Sequence, residues 1–189
     1  MSMTRPQAQP SDDLFTRLIK SAEQRAAPVE LWEPEHCGEI DIEILADGRW
    51  RHEGAFISRD KLVRLFASVL RRDADGAYYL VTPVEKMRIR VERAPFVATE
   101  LTVAGEGADQ ILSFTTNVGD RVIAGPDHPI RVETKPLSGE PAPFVHVRGR
   151  LEAALSRPVY YQLAELTEPA GGRMIVRSQG AAFDLGPAA

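Results

Sequence analysis

The sequence predicts an α+β fold of two small domains, built on mainly antiparallel sheets and a duplicated strand–helix–strand unit. Three observations carry this. Short runs with apolar residues at every second position recur along the chain, separated by Asp-Gly, Gly-Gly and Pro-containing turn signals. Two segments, Leu62 to Leu70 and Tyr160 to Thr167, switch to helical spacing. Finally, RHEGAFISRDKLVRLFASVLRRDADGAYYLV can be set beside HVRGRLEAALSRPVYYQLAELTEPAGGRMIV. Each reads as a strand ending in Gly, a Ser-Arg pair, an amphipathic helix, a Gly-containing turn and an apolar strand. Gly54 corresponds to Gly149, Ser58-Arg59 to Ser156-Arg157, and Gly76 to Gly172.

Taken in order, residues 1–29 read as a polar tail and a helix. Ser11 is placed to cap the helix, and Leu14, Phe15, Leu18, Ile19 and Ala22 form its apolar stripe. The first domain is expected over residues 30–93. Val29 to Gly38 is an extended connector, and Ile40, Ile42 and Ile44 alternate with acids in a half-buried strand. Asp47-Gly48 turns that strand back. Ser58 is expected to cap a helix whose buried face is Leu62, Leu65, Phe66, Val69 and Leu70, closed by Arg71 and Arg72. Asp75-Gly76 leads into the strand Ala77 to Thr82. After Pro83, Met87, Ile89 and Val91 alternate with Lys86, Arg88 and Arg90, giving one apolar and one basic face.

Ala94-Pro95 marks the boundary, because proline cannot donate to a ladder and restricts its predecessor. The second domain, 94–189, reads as β-barrel-like with a helix. Its expected strands are Phe96 to Ala104, Gln110 to Thr116, Arg121 to Ala124, Ile130 to Glu133 and Phe144 to Arg148. Lys135 to Pro143 reads as an exposed loop, and Ser156 starts the helix bearing Tyr160 and Leu163. Arg173 to Arg177 and Ala181 to Leu185 close the domain.

Composition narrows the function. Hydrophobic residues make up 43% of the 189, enough for packed cores. The net charge of −4 argues against duplex nucleic acid as a partner. One cysteine, Cys37, excludes an intrachain disulfide and suits a reducing, cytoplasmic setting. No apolar run reaches the length of a membrane span, and no signal peptide is evident.

Catalytic and cofactor signatures are missing. GxxxxGK[ST], HExxH and GxSxG do not occur, and Gly105-Glu106-Gly107 lacks the third glycine of a dinucleotide fingerprint. His36-Cys37 has no partner at metal-ligand spacing. Asp41 and Glu43 share a strand face, which suits acid–base work and equally suits a solvated face. Arg59 and Arg157 break a local rule in the same way: each follows a serine cap, where a cation opposes the helix dipole. An arginine beside free helix N–H groups can bind phosphate or carboxylate. The competing explanation is a structural ion pair, such as one with Asp60. Lys86, Arg88 and Arg90 can extend an anion site or form a neutralised solvated face. One of Tyr160 and Tyr161 can stack on a base, since the other must serve the helix's apolar stripe.

CGEIDIEILADGRW, YYLVTPVEKMRIRVERAPF, TTNVGD and RPVYYQLAEL together resemble the bacterial domain-of-unknown-function family numbered 1285. The resemblance covers about residues 30 to 185, and TPVEK and APF are specific to it. GAFISR stands where the family more usually has GSPIxR, with Arg59 keeping the family's arginine. The resemblance implies a duplicated two-domain α+β fold, a second domain loosely like the pleckstrin-homology barrel, and a ligand site between the domains for a nucleotide-like signalling molecule.

The expected function is therefore a non-enzymatic binding protein in signal transduction, taking a phosphate-bearing, nucleotide-like small molecule in the cleft between the two domains and needing no cofactor or metal. Arg59 and Arg157 are expected to hold anionic oxygens, and Lys86 and Arg148 to add charge. Thr82, Asn117 and Tyr160 are expected to hydrogen-bond or stack. The alternatives are a protein-interaction module, and an enzyme on a nucleotide-like substrate with Asp41 or Glu85 as base.

Overall fold

The computed structural model describes residues 28–134 and 138–188, so the expected N-terminal helix lies outside the described residues. The chain divides into two compact units, Met1–Glu43 with Trp50–Arg90 and Ile44–Arg49 with Val91–Ala189. The tip of the first hairpin therefore groups with the second unit. No helix among the described residues is long and apolar enough to cross a membrane.

The first unit is built on a six-stranded sheet in the order β3-β2-β1-β6-β5-β4. Its strands are β1 (His36–Ile44), β2 (Trp50–His52), β3 (Ala55–Phe56), β4 (Leu70–Arg72), β5 (Tyr78–Val81) and β6 (Glu85–Val91). Helix α1 (Asp60–Ser68) lays Phe66 against Trp50, with ring centroids 6.0 Å apart. Ile42, Leu80 and Ile89 are buried with them, as the alternation of each strand requires.

The opposite face is a ladder of paired charges. Arg51 meets Glu43, Arg90 meets Asp41 at 2.6 Å, and Arg88 lies 3.8 Å from Glu39. Arg88 and Arg90 of β6 are thus neutralised by acids of β1, while Lys86 pairs with Asp73. Asp41 and Glu43, the acid–base candidates, serve this ladder.

Two expectations fail here. The connector is not wholly extended: Val29–Leu31 makes one 3-10 turn. The helix stops at Ser68, and Leu70–Arg72 is a strand paired antiparallel with Tyr78–Leu80. The tight Asp75-Gly76 turn makes that pairing available, and hairpin pairing overrides helical spacing.

The second unit contains a six-stranded sheet, β10-β11-β12-β7-β8-β9, and a three-stranded sheet, β13-β14-β15. The strands are β7 (Phe96–Ala104), β8 (Ile111–Thr116), β9 (Arg121–Ile123), β10 (Ile130–Thr134), β11 (Pro141–Arg148) and β12 (Leu151–Leu155) in the first sheet. The second sheet holds β13 (Glu168–Ala170), β14 (Arg173–Ser178) and β15 (Ala181–Pro187). Helix α2 (Arg157–Glu165) starts after Ser156, with Pro158 in its first turn, where a missing N–H costs nothing. Buried Val159 and Leu163 face inward, and Gln162 Nε2 donates to the Leu101 carbonyl of β7 at 3.2 Å.

Ser178 ties the two sheets together. Its hydroxyl donates to the Ala124 carbonyl at 2.7 Å and accepts from the Leu112 N–H at 2.9 Å. Within the second unit two strands were missed by sequence reasoning, β12 and β13. The run LEAAL carries buried Ala153 and Ala154 on both faces, so it shows no period of two, and it pairs in parallel with β7. The expected loop Lys135 to Pro143 is shorter, because Pro141–Pro143 already belongs to β11.

Candidate functional site

Four of the seven expected binding residues are occupied by the fold itself. Thr82 is 1% exposed. Its hydroxyl donates to the Glu85 carbonyl and accepts from the Glu85 N–H, both at 3.1 Å, closing the β5–β6 turn. Asn117 accepts from the Val97 N–H at 2.9 Å and donates to the Gly48 carbonyl at 3.1 Å, bracing two turns. Lys86 holds Asp73 at 2.7 Å and sits 4.6 Å above the Tyr79 ring. The hydrogen bond to Asp73 raises the Lys86 pKa above the usual lysine range. Burial works to raise the Asp73 carboxyl, but hydrogen bonds from Arg71 and Lys86 outweigh it and hold it below the usual carboxylate range. The Arg148 guanidinium lies over the Phe96 ring, 5.6 Å from its centroid.

Arg59 and Arg157 are exposed and make no ion pair with a described residue. They do not occupy equivalent helix positions, as the repeat suggested. Arg59 is itself the cap of α1, its carbonyl accepting from Leu62 and Val63, while Arg157 is the first residue of α2. Asp60 does not pair with Arg59.

Tyr160 differs from the rest. Half-buried on α2, it lines an open cavity of about 690 Å³ that lies wholly within the second unit. The cavity is walled by β10, the start of β11, and residues of β14 and β15. Its surface is mixed: Ile130, Val132, Phe183 and Leu185 are apolar, and Arg131, Arg173 and Asp184 are charged. Such size and lining suit a small molecule, for which pockets run from ~300 to 1,000 Å³.

The two arginines are held differently. Arg131 bonds both oxygens of Glu152 and one of Glu133, and its guanidinium lies 4.5 Å from the centroid of Phe144. These bonds, from Glu152 foremost, raise its pKa further above an already basic value, so it is a fixed cation. Arg173 uses only Nε, which donates to Asp184 at 2.7 Å. Asp184 also accepts from the Gly186 N–H at 2.8 Å. The Arg173 bond and then the Gly186 bond hold its carboxyl below the usual range.

Sequence reasoning missed Arg131, Arg173 and Asp184. Gly171-Gly172 before Arg173 was visible as a turn, but the cavity arises from strands far apart in the chain. Among the described residues no three His, Cys, Asp or Glu side chains are grouped to hold a metal ion.

Comparison with known proteins agrees with this architecture. A family model described as "Domain of unknown function (DUF1285), N-terminal domain" matches residues 27–94. One described as "Protein of unknown function (DUF1285), C-terminal domain" matches 95–185. Among curated proteins, none matches the sequence. The crystal structure of a DUF1285 family protein from Silicibacter pomeroyi DSS-3 is 47% identical, with a TM-score of 0.84, covering 90% of this chain and 94% of that one. A DUF1285 family protein from Shewanella baltica OS155 is 27% identical, with a TM-score of 0.51, covering 66% of this chain and 90% of that one. With both family models matching in sequence across residues 27–185, this chain belongs to the DUF1285 family.

Proposed function

We propose that this protein is a non-enzymatic binding protein for a small, nucleotide-like molecule, and that the ligand occupies the cavity of the second unit. The observation that carries the reading is the cavity of about 690 Å³ with Tyr160 on its wall. A flat ring would lie against Tyr160 and the apolar residues of β10 and β15, and a phosphate would meet Arg173. A role in signal transduction in the cytoplasm belongs to the same reading.

The reading also takes the two units as copies of one ancestral unit, the second loosely pleckstrin-homology-like. Supporting the duplication, residues 50–81 and 141–178 both run hairpin, nine-residue helix, hairpin. The copies differ in that the first keeps both hairpins in one sheet and the second divides them between two.

One observation favours a protein partner instead. Strands β10 and β15 are the outer strands of their sheets and both border the cavity, so an extended peptide could pair with either.

A thermal-shift screen against nucleotides, cyclic dinucleotides and simple phosphates tests the proposal. A ligand at a hundred times its Kd adds about 2.7 kcal/mol of stability, which raises the midpoint by roughly 5 °C or more. The expected result is such a rise in the wild type that is lost in Tyr160→Ala. A blank screen at millimolar ligand, or an equal rise in the variant, contradicts it.

A further inference from the structure

Resting on the cavity reading above, we propose that Arg173 recognises the ligand's charged group, and that this group is a single anion, a carboxylate or a terminal monophosphate, not a polyphosphate. A guanidinium carries five N–H donors in a planar fork that matches carboxylate and phosphate oxygens. Arg131 has engaged all three of its nitrogens with Glu152 and Glu133, so it shapes the wall without serving a ligand. Arg173 engages only Nε, leaving both terminal nitrogens without a partner among the described residues.

Those nitrogens are aligned in advance. Asp184 grips Arg173 from behind through Nε, and Gly186 N–H grips Asp184. Arg173, Asp184 and Gly186 all line the cavity. The β14–β15 register slips between Arg173 and Ile175, opposite this relay. Such bulges re-aim a side chain and concentrate beside functional sites. Asp184 is thus a positioning residue, and Arg173 presents an end-on fork.

The charge balance sets the limit of one anionic group. Two separate ion-pair groups stand here, Arg131 with Glu133 and Glu152 behind the wall and Arg173 with Asp184 on it, so three carboxylates face two arginines and neither arginine carries uncompensated charge. Each further negative charge on a ligand therefore meets a surplus of carboxylate. A polyphosphate would be repelled where one phosphate or carboxylate is held by the fork.

Calorimetric titration of the full chain with adenosine monophosphate, adenosine, adenosine triphosphate and benzoate tests this. The expected result is that the monophosphate, benzoate or both bind, and that a bound monophosphate binds at least about ten-fold tighter than adenosine and tighter than the triphosphate, a range consistent with charge-assisted bidentate pairing. Arg173→Ala should abolish the preference for the anion and leave adenosine unchanged. Arg173→Lys, which keeps the charge and removes the fork, should lose most of that preference while remaining folded. Benzoate binding that depends on Arg173, without monophosphate binding, assigns the carboxylate class; the reverse assigns the phosphate. Equal binding of monophosphate and adenosine without benzoate binding, or anion binding unchanged in Arg173→Ala, overturns the role of Arg173 and leaves the cavity reading standing. Failure of every probe to bind also overturns it, whereas the cavity reading falls only if the broader thermal screen is blank as well.

Discussion

A charged side chain survives below the surface only where its donors are matched, and Arg71 shows the condition being met. It is 5% exposed, yet it pairs with Asp73 at 2.6 Å and donates to the carbonyls of Val29 at 2.7 Å and Trp32 at 2.6 Å. One guanidinium thereby fastens the connector before β1 onto β4. Replacing it with methionine keeps the volume and removes one donor each from Asp73, which retains Lys86, and from the Val29 and Trp32 carbonyls. Arg71→Met should destabilise the protein by about 3 kcal/mol in urea unfolding, as removal of one partner from a buried pair does. A loss under 1 kcal/mol would mean that water replaces the arginine. From the sequence this residue is expected as a helix-terminal cation. What holds it inward is its contact with the carbonyls of Val29 and Trp32, 42 and 39 residues away in the sequence, and that contact is not local. For Lys86 and Asn117 too, residue type announced a hydrogen-bonding group, but only the fold shows which partners within the chain it meets.

At the scale of elements, turns were the most legible feature, because their chemistry is local. Asp47-Gly48 was recognised from its residues, and Gly48 does adopt a φ of +85°, a region that other residues avoid. The structure adds a second requirement. A Cβ at Gly48 would lie 2.6 Å from the Asn117 amide nitrogen, where Asn117 braces the Gly48 carbonyl. Gly48→Ala should cost about 1–2 kcal/mol from backbone strain alone, plus the displaced brace. In the double variant with Asn117→Ala the two losses should add to less than their sum, since they share one contact. Strict additivity in equilibrium unfolding would separate the two turns. Helices α1 and α2 were also legible from spacing, although α1 ends earlier than its apolar stripe. Strands β12 and β13 were not, since an alanine-rich run buried on both faces and a short Pro-containing pair carry no alternation.

For the whole molecule, the α+β class, the two-unit organisation and the family were all readable from sequence, because alternation, turn residues and family motifs are properties of short stretches. The candidate site was readable only at Tyr160. The cavity forms where β10, α2, β14 and β15 converge, and no stretch of sequence states which strands meet. Arg59 and Arg157 attracted notice because each opposed a helix dipole, yet exposed positions bear such a cost readily. The account therefore depends on where a ligand binds, and amide chemical-shift mapping locates that directly. Titrating labelled protein with adenosine monophosphate, or with whichever probe gives the thermal shift, should move the signals of residues 130–134, 160, 173 and 182–186 together. Perturbations centred on residues of the first unit, with the signals of β10 and β15 unmoved, would contradict the account.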